Sequence, residues 1–267
     1  MSTRTRLRPI SILAVLFLGL APSIALPQAA SPKAVPTPVA TPAPPPPLEP
    51  AALERMKAMS DLLKGAGSVA FRAVTDRETP SVSGQMLDFV NVSRVSVTRP
   101  NRVRVDTDGD RFAASLWYDG KTVTIYSKKS SFYGQTAAPA TIDETLQMLM
   151  DRFDTPLPVA GFLLKDPYAR MMEGVKTAFD AGTAQIDGVT CRHFAFSEED
   201  ADWQLWIEEG ARPLPRRMAV TYKKVPGSPR VLVALSDWNL SPTIPAGEFV
   251  FAAPPGATKV DWKASKP

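Results

Sequence analysis

Cys191 and His193 are the only cysteine and the only histidine in the chain, and they stand two residues apart in Val189-Thr190-Cys191-Arg192-His193-Phe194. On an extended strand that spacing sends both side chains to one face. A thiol beside an imidazole is the smallest pair that supports nucleophilic catalysis. An apolar strand more commonly holds such a thiol as a buried structural group, and Cys191 is expected to be one. A serine triad would have to recruit His193, and no Gly-x-Ser-x-Gly elbow is present. Zinc needs several histidine or cysteine ligands. Asp106, Asp108 and Asp110 begin like a calcium loop, but the later glutamate is missing at its spacing, so they read as a polar turn. Glu198-Glu199-Asp200 and Asp202 form an acidic, solvated turn. No enzyme, cofactor or metal is expected, and a hydrolase using acidic residues is kept as a second alternative.

The chain of 267 residues does not begin with its core. Arg4, Arg6 and Arg8 precede the uncharged run Ile10 to Leu20, and Pro22 is followed by the small residues Ser23 and Ala25. This is the pattern of a secretory signal over residues 1–25, and its apolar run is short for a membrane span. Ten of the 27 prolines lie between Pro27 and Pro50, so residues 26–49 read as an extended Pro/Ala-rich linker. The folded domain is expected over 50–263. Removing the three signal arginines leaves 28 basic against 27 acidic residues, which offers no concentrated basic face for nucleic acid. The lone cysteine rules out an internal disulfide.

Within that domain, Pro50 suits a first helical turn, and Leu53, Met56, Met59, Leu62 and Leu63 recur at helical spacing as far as Gly65. Period-two patterns then dominate. Strands are expected at 68–74, 89–98, 102–106, 112–118 and 122–126, with turns at Arg99-Pro100-Asn101 and Asp119-Gly120. After a break they resume at 175–180, 183–186, 190–197, 202–207, 214–222 and 230–240, with a last strand at 248–251. The class is mainly β: a half-open antiparallel barrel of about ten to eleven strands, with the N-terminal helix and further helices on its concave side.

The break falls at 137–168. Thr141 with Glu144 forms a capping signal for a helix over 142–153, stopped by Pro156 and Pro158, and Asp166-Pro167 opens another turn of helix. These segments form a candidate lid rich in flexible apolar side chains. Leu146, Leu149, Met150 and Phe153 lie on its first helix, and Phe162 and Leu163 follow. With Trp117 on the strands and Met56 on the N-terminal helix, they make up the candidate apolar cavity. Such side chains adapt to an irregular apolar ligand.

Three segments, in order, resemble a known family: Arg99-Pro100-Asn101 with Arg104; Asp119-Gly120-Lys121-Thr122 with Tyr126; and Phe249-Val250-Phe251-Ala252-Ala253-Pro254-Pro255-Gly256. The chain resembles the periplasmic outer-membrane lipoprotein carriers of the LolA type and the lipid-sensing domain of RseB. Within that superfamily it is most similar to the predicted periplasmic DUF2092 proteins. The resemblance implies a cavity for acyl chains under a helical lid, and it implies that the arginine of the Arg-Pro-Asn turn, here Arg99, latches that lid. The proline-rich leader departs from the carriers, and hand-over of a lipoprotein does not follow from the motifs. The expected function is a periplasmic carrier or chaperone for lipid or lipoprotein acyl chains. The alternative is a tethered sensor of RseB type with an envelope protein partner. A monomer, exported to the periplasm and membrane-tethered if its signal stays uncleaved, is expected.

Overall fold

Pro50 opens α1 (Pro50–Gly65), and Ala52, Met56, Met59 and Leu63 on one side of that helix are fully buried. The computed structural model describes residues 48–153 and 159–262. The expected signal, all but the last two residues of the expected linker, and the helix-stopping Pro156 and Pro158 lie outside the described residues. Leu48 and Glu49 dock on the chain near Ala178, where Glu49 N–H donates to the Ala178 carbonyl at 2.8 Å.

Six strands follow α1: β1 (Ser68–Pro80), β2 (Met86–Thr98), β3 (Arg102–Gly109), β4 (Ala114–Tyr118), β5 (Thr122–Ser127) and β6 (Phe132–Ala137). Each pairs antiparallel with the next. The lid comprises α2 (Ile142–Phe153), a 3-10 turn at Ala160–Leu163 and α3 (Pro167–Met171). A second meander then runs through β7 (Thr177–Ile186), β8 (Val189–Ser197), β9 (Ala201–Glu208), β10 (Pro215–Tyr222) and β11 (Arg230–Asn239). Strand β11 pairs antiparallel with β1, which joins the two meanders, and β12 (Thr258–Lys259) adds to β6 in parallel. The described residues thus form one open sheet ordered β12-β6-β5-β4-β3-β2-β1-β11-β10-β9-β8-β7. This is the expected half-open, mainly antiparallel barrel, with twelve strands where ten to eleven were expected.

The core occupies one face of that sheet. Val69, Phe71, Val95, Val97, Val103, Tyr118 and Val123 belong to the same buried cluster as Met56 and Met59 of α1, Leu146 of α2 and Phe162 of the 3-10 turn. Strict alternation along the strands makes this the inner face and leaves polar positions such as Arg94, Arg104 and Asp106 outside.

One strand was not foreseen and two expectations are corrected. Phe132–Ala137 forms a strand although Gly134 interrupts its side-chain pattern; a Cβ at 134 would press on the Trp262 ring system, so the glycine makes room for the C-terminal segment. The two strands expected at 175–186 are one, β7, bent by a bulge at Gly182, whose φ of +104° favours glycine. The strand expected at 248–251 is instead a 3-10 turn, Ala246–Phe249, followed by irregular chain. Its apolar alternation serves two separate environments: Phe249 is buried, and Phe251 packs on the outer face.

Candidate functional site

A cavity of about 440 Å³ lies between the inner face of β1–β5 and the lid. Its deep walls are Val95, Val103, Val105, Leu116 and Ile125, and its roof is Leu146, Ala160 and Leu163. The volume falls in the range of about 300–1,000 Å³ usual for small-ligand sites. Period two fixes the lining: Val95 faces Val105, and Val105 faces Leu116, across three adjacent strands.

Polarity changes along the strands. One step beyond Val95 and Val105, Ser93 and Thr107 face each other and share a 2.8 Å hydrogen bond, which gives each hydroxyl a partner. One step further, Asn91 faces Gly109; a Cβ at 109 would collide with the Asn91 amide, so only glycine leaves that side chain its place. Asn91 Oδ1 is buried and has no hydrogen-bond donor. At the far end stand Phe89, Arg77 and Arg111, with the Arg111 guanidinium 4.7 Å over the Phe89 ring.

The turn between β2 and β3 holds the lid. Arg99 Nη1 donates to the Leu163 carbonyl at 2.5 Å, and Ile142 N–H donates to the Pro100 carbonyl at 3.0 Å. The Arg99–Pro100 peptide bond is cis. Burial pulls the Arg99 pKa below its ordinary value, with Asp143 acting in the opposite direction. The rest of the lid is tied as well. Tyr118 Oη donates to the Pro139 carbonyl at 2.6 Å, and Tyr168 N–H donates to Ser60 Oγ of α1 at 2.9 Å. Glu144 N–H donates to Thr141 Oγ1 at 3.3 Å, the expected cap of α2.

The structure sorts the sequence-derived cavity residues. Leu146 and Leu163 line the cavity. Leu149, Phe162 and Met56 are buried in the surrounding core and do not line it. Met150 is half-buried away from the lining. Phe153 closes α2, and its side chain lies outside the described residues. Trp117 is a correction. It alternates with the lining residue Leu116 and so occupies the outer face, where Arg104 stacks 3.6 Å over its ring and Phe251 meets its edge at 4.9 Å. Arg104 also holds Asp106 at 2.6 and 2.7 Å, and Ser115 donates to the same carboxylate at 2.6 Å. Tyr133 and Tyr126 pack on Phe251 at 4.8 and 6.5 Å. Residues from all three family-like segments therefore converge on an outer-face clamp, and from them Arg99 and Pro100 reach the lid.

The other chemical candidates are occupied structurally. Cys191 is fully buried on the outer face with Trp206 and Ala219, and burial pushes its pKa up to about 11. Its Sγ donates to the Val189 carbonyl at 3.6 Å. The His193 ring stacks on Trp206 at 4.1 Å and bonds Gln204 at 3.1 Å; burial lowers its pKa. Asp106, Asp108 and Asp110 do not converge: Asp108 pairs with Lys128 at 2.9 Å, and Asp110 accepts from Val90 N–H at 3.0 Å. Lys223 and Lys224 neutralise the acidic turn through Asp202 and Glu199, at 2.9 and 2.7 Å. A second hollow, of about 540 Å³, lies between α1 and the edge of the sheet, where Asp180 and Arg192 already pair at 2.6 Å.

Of this lining only Leu146 and Leu163 were named from the sequence; the strand residues that wall the cavity, and Arg77, Asn91 and Arg111 towards its polar end, were missed. The signal for Arg77 was available: Val69, Phe71 and Ala73 are inward, and the same parity carries on through Thr75 to Arg77.

A family model described as a predicted periplasmic protein (DUF2092) matches residues 52–262. No curated protein sequence matches significantly. Among solved structures, an uncharacterized conserved protein from Thermus thermophilus is similar at 11% identity and a TM-score of 0.46, covering 79% of this chain and 99% of its own. The Mycobacterium tuberculosis lipoprotein LppX is similar at 15% identity and a TM-score of 0.42, covering 72% and 96%. MucB, solved elsewhere in complex with MucA from Pseudomonas aeruginosa, is similar at 13% identity and a TM-score of 0.43, covering 77% of this chain and 64% of its own.

Proposed function

The chain belongs to the DUF2092 family of predicted periplasmic proteins, and from that premise we propose that it is a periplasmic binding protein for the acyl chains of a lipid or lipoprotein. The observation that carries the reading is the cavity of about 440 Å³, walled by Val95, Val105, Leu116 and Ile125 and roofed by Leu146 and Leu163. At roughly the 30 Å³ a water takes in the liquid, a size comparable with a methylene group, it has room for about a dozen methylenes. Ten buried methylenes contribute about 8 kcal/mol, which corresponds to micromolar binding before ordering costs.

Arg99 is the proposed latch of this site. It grips the 3-10 turn that presents Leu163, while the neighbouring Pro100 carbonyl receives the first N–H of α2. Lifting of that turn would widen the cavity for ligand exchange. The test is native mass spectrometry with lipid extraction on protein purified from the periplasm, supported by displacement of a fluorescent acyl probe. Co-purified acyl lipid, released on denaturation, is the expected result. A ligand-free mass together with no probe binding would overturn the proposal.

A further inference from the structure

Arg77 and Arg111 line the end of the cavity remote from the lid, and neither side chain forms an ion pair or hydrogen bond among the described residues. From this we infer that the ligand is an anionic amphiphile, its single acyl chain lying under Leu146 and Leu163 and its negatively charged headgroup held between Arg77 and Arg111. The inference rests on the acyl-chain reading of the same cavity and adds the headgroup chemistry and the direction of the chain.

The polarity gradient carries the argument. Inward positions run from valines through a hydrogen-bonded Ser93–Thr107 pair to the unpartnered Asn91 acceptor and then to two cations. A cavity built for a wholly apolar guest gains nothing from guanidiniums at its end, whereas a chain with a charged head matches every step. Arg77 is half-buried and directly opposite Phe89 in the β1–β2 register, while Arg111 stacks on the same ring. The β1–β2 register and the Phe89 ring thus place both cations at the mouth.

Nearby carboxylates do not use these arginines. Asp76, Glu78 and Asp88 alternate onto the outer face, where Glu78 accepts from Arg230 N–H at 2.6 Å; Asp110 accepts from Val90 N–H. Burial and mutual repulsion raise the pKa of Asp76, so the acids cluster among themselves and not on the cations. A guanidinium binds carboxylate or phosphate oxygens in a fork and retains its charge at any physiological pH.

Competition against the neutral probe N-phenyl-1-naphthylamine tests the inference, using dodecanoate and dodecan-1-ol on delipidated full-length protein. Dodecanoate should displace the probe at a concentration at least about tenfold lower than the alcohol. In Arg77→Gln/Arg111→Gln that preference should vanish, while displacement by the alcohol stays unchanged. The exposed Arg111→Gln single variant should lose part of the preference should the double variant fold poorly. Equal displacement by acid and alcohol in the wild-type protein overturns the headgroup inference and leaves the acyl reading standing. A preference that persists in the double variant overturns the assignment to these arginines. Displacement by neither overturns both.

Discussion

Arg99 Nη1 reaches the carbonyl oxygen of Leu163, 64 residues further along the chain, at 2.5 Å. Together with the bond from Ile142 N–H to the Pro100 carbonyl, it ties the β2–β3 turn to the lid. Arg99 Nε is buried without a partner, so the guanidinium is held by this contact and by the walls around it. A surface turn arginine would have no reason to be buried at that cost.

Arg99→Leu should therefore speed release of a bound acyl probe by about ten- to a hundredfold, since a hydrogen bond from a charged donor contributes about 1.5–3 kcal/mol. Stopped-flow dilution of probe-loaded protein reads the rate. An unchanged rate with an intact fold would reduce Arg99 to a turn residue.

Leu149 and Leu116 should separate packing from binding. Leu149 is 1% exposed within the core cluster and does not line the cavity, so Leu149→Ala should cost about 2–5 kcal/mol of stability with ligand affinity retained in the folded fraction. Leu116 lines the cavity and is only half-buried, so Leu116→Trp should fill the space, abolish probe binding and change stability by less than about 1.5 kcal/mol. Urea titration and probe titration on both variants check the crossed pattern.

Alternation made the inner and outer faces of β2 and β3 legible, because Val95, Val97, Val103 and Val105 keep one phase. The lid helix was legible too: Thr141 and Glu144 cap it at Ile142, its first residue. The cavity wall was harder to find. Ser93, Thr107 and Asn91 are polar at inward positions, and a polar residue on a strand reads as solvent-facing unless its phase is followed from the core. The expected methionines do not belong to the wall: Met56 is buried in the core, and Met150 is half-buried away from the lining. Gly134 hid β6 because its reason, the approach of Trp262, comes from a residue 128 positions away.

Trp117 and Phe251 should couple energetically without touching function. They meet at 4.9 Å on the outer face, and an aromatic pair of this kind contributes about 0.5–1.5 kcal/mol beyond its burial. A double-mutant cycle of Trp117→Leu and Phe251→Leu, followed by urea unfolding, should return a coupling energy in that range, with acyl-probe affinity unchanged in all three variants. A loss of affinity confined to Trp117→Leu would put that ring back into the ligand site.

Asp119 should make part of the acid sensitivity of the fold visible. Burial works to raise its pKa, but the backbone N–H groups of Thr122 and Lys121, at 2.8 and 2.9 Å, and the Thr122 hydroxyl at 3.1 Å outweigh it and hold the carboxylate below its ordinary value. A carboxyl depressed in the folded state stabilises at pH above its unfolded value near 3.9, and that contribution disappears as pH falls through the folded value. Asp119→Ala should thus cost about 1–2 kcal/mol at neutral pH, and its deficit against the wild-type protein should shrink once the pH drops below about 4. Asp119→Asn retains an acceptor but not the charge, so it should lose less at neutral pH and show the same narrowing gap. Urea midpoints of the three proteins from neutral pH down to about pH 2 give the comparison. A deficit that stays constant across that range would mean that the turn is held by its hydrogen-bond geometry and Gly120 alone, with no contribution from the charge.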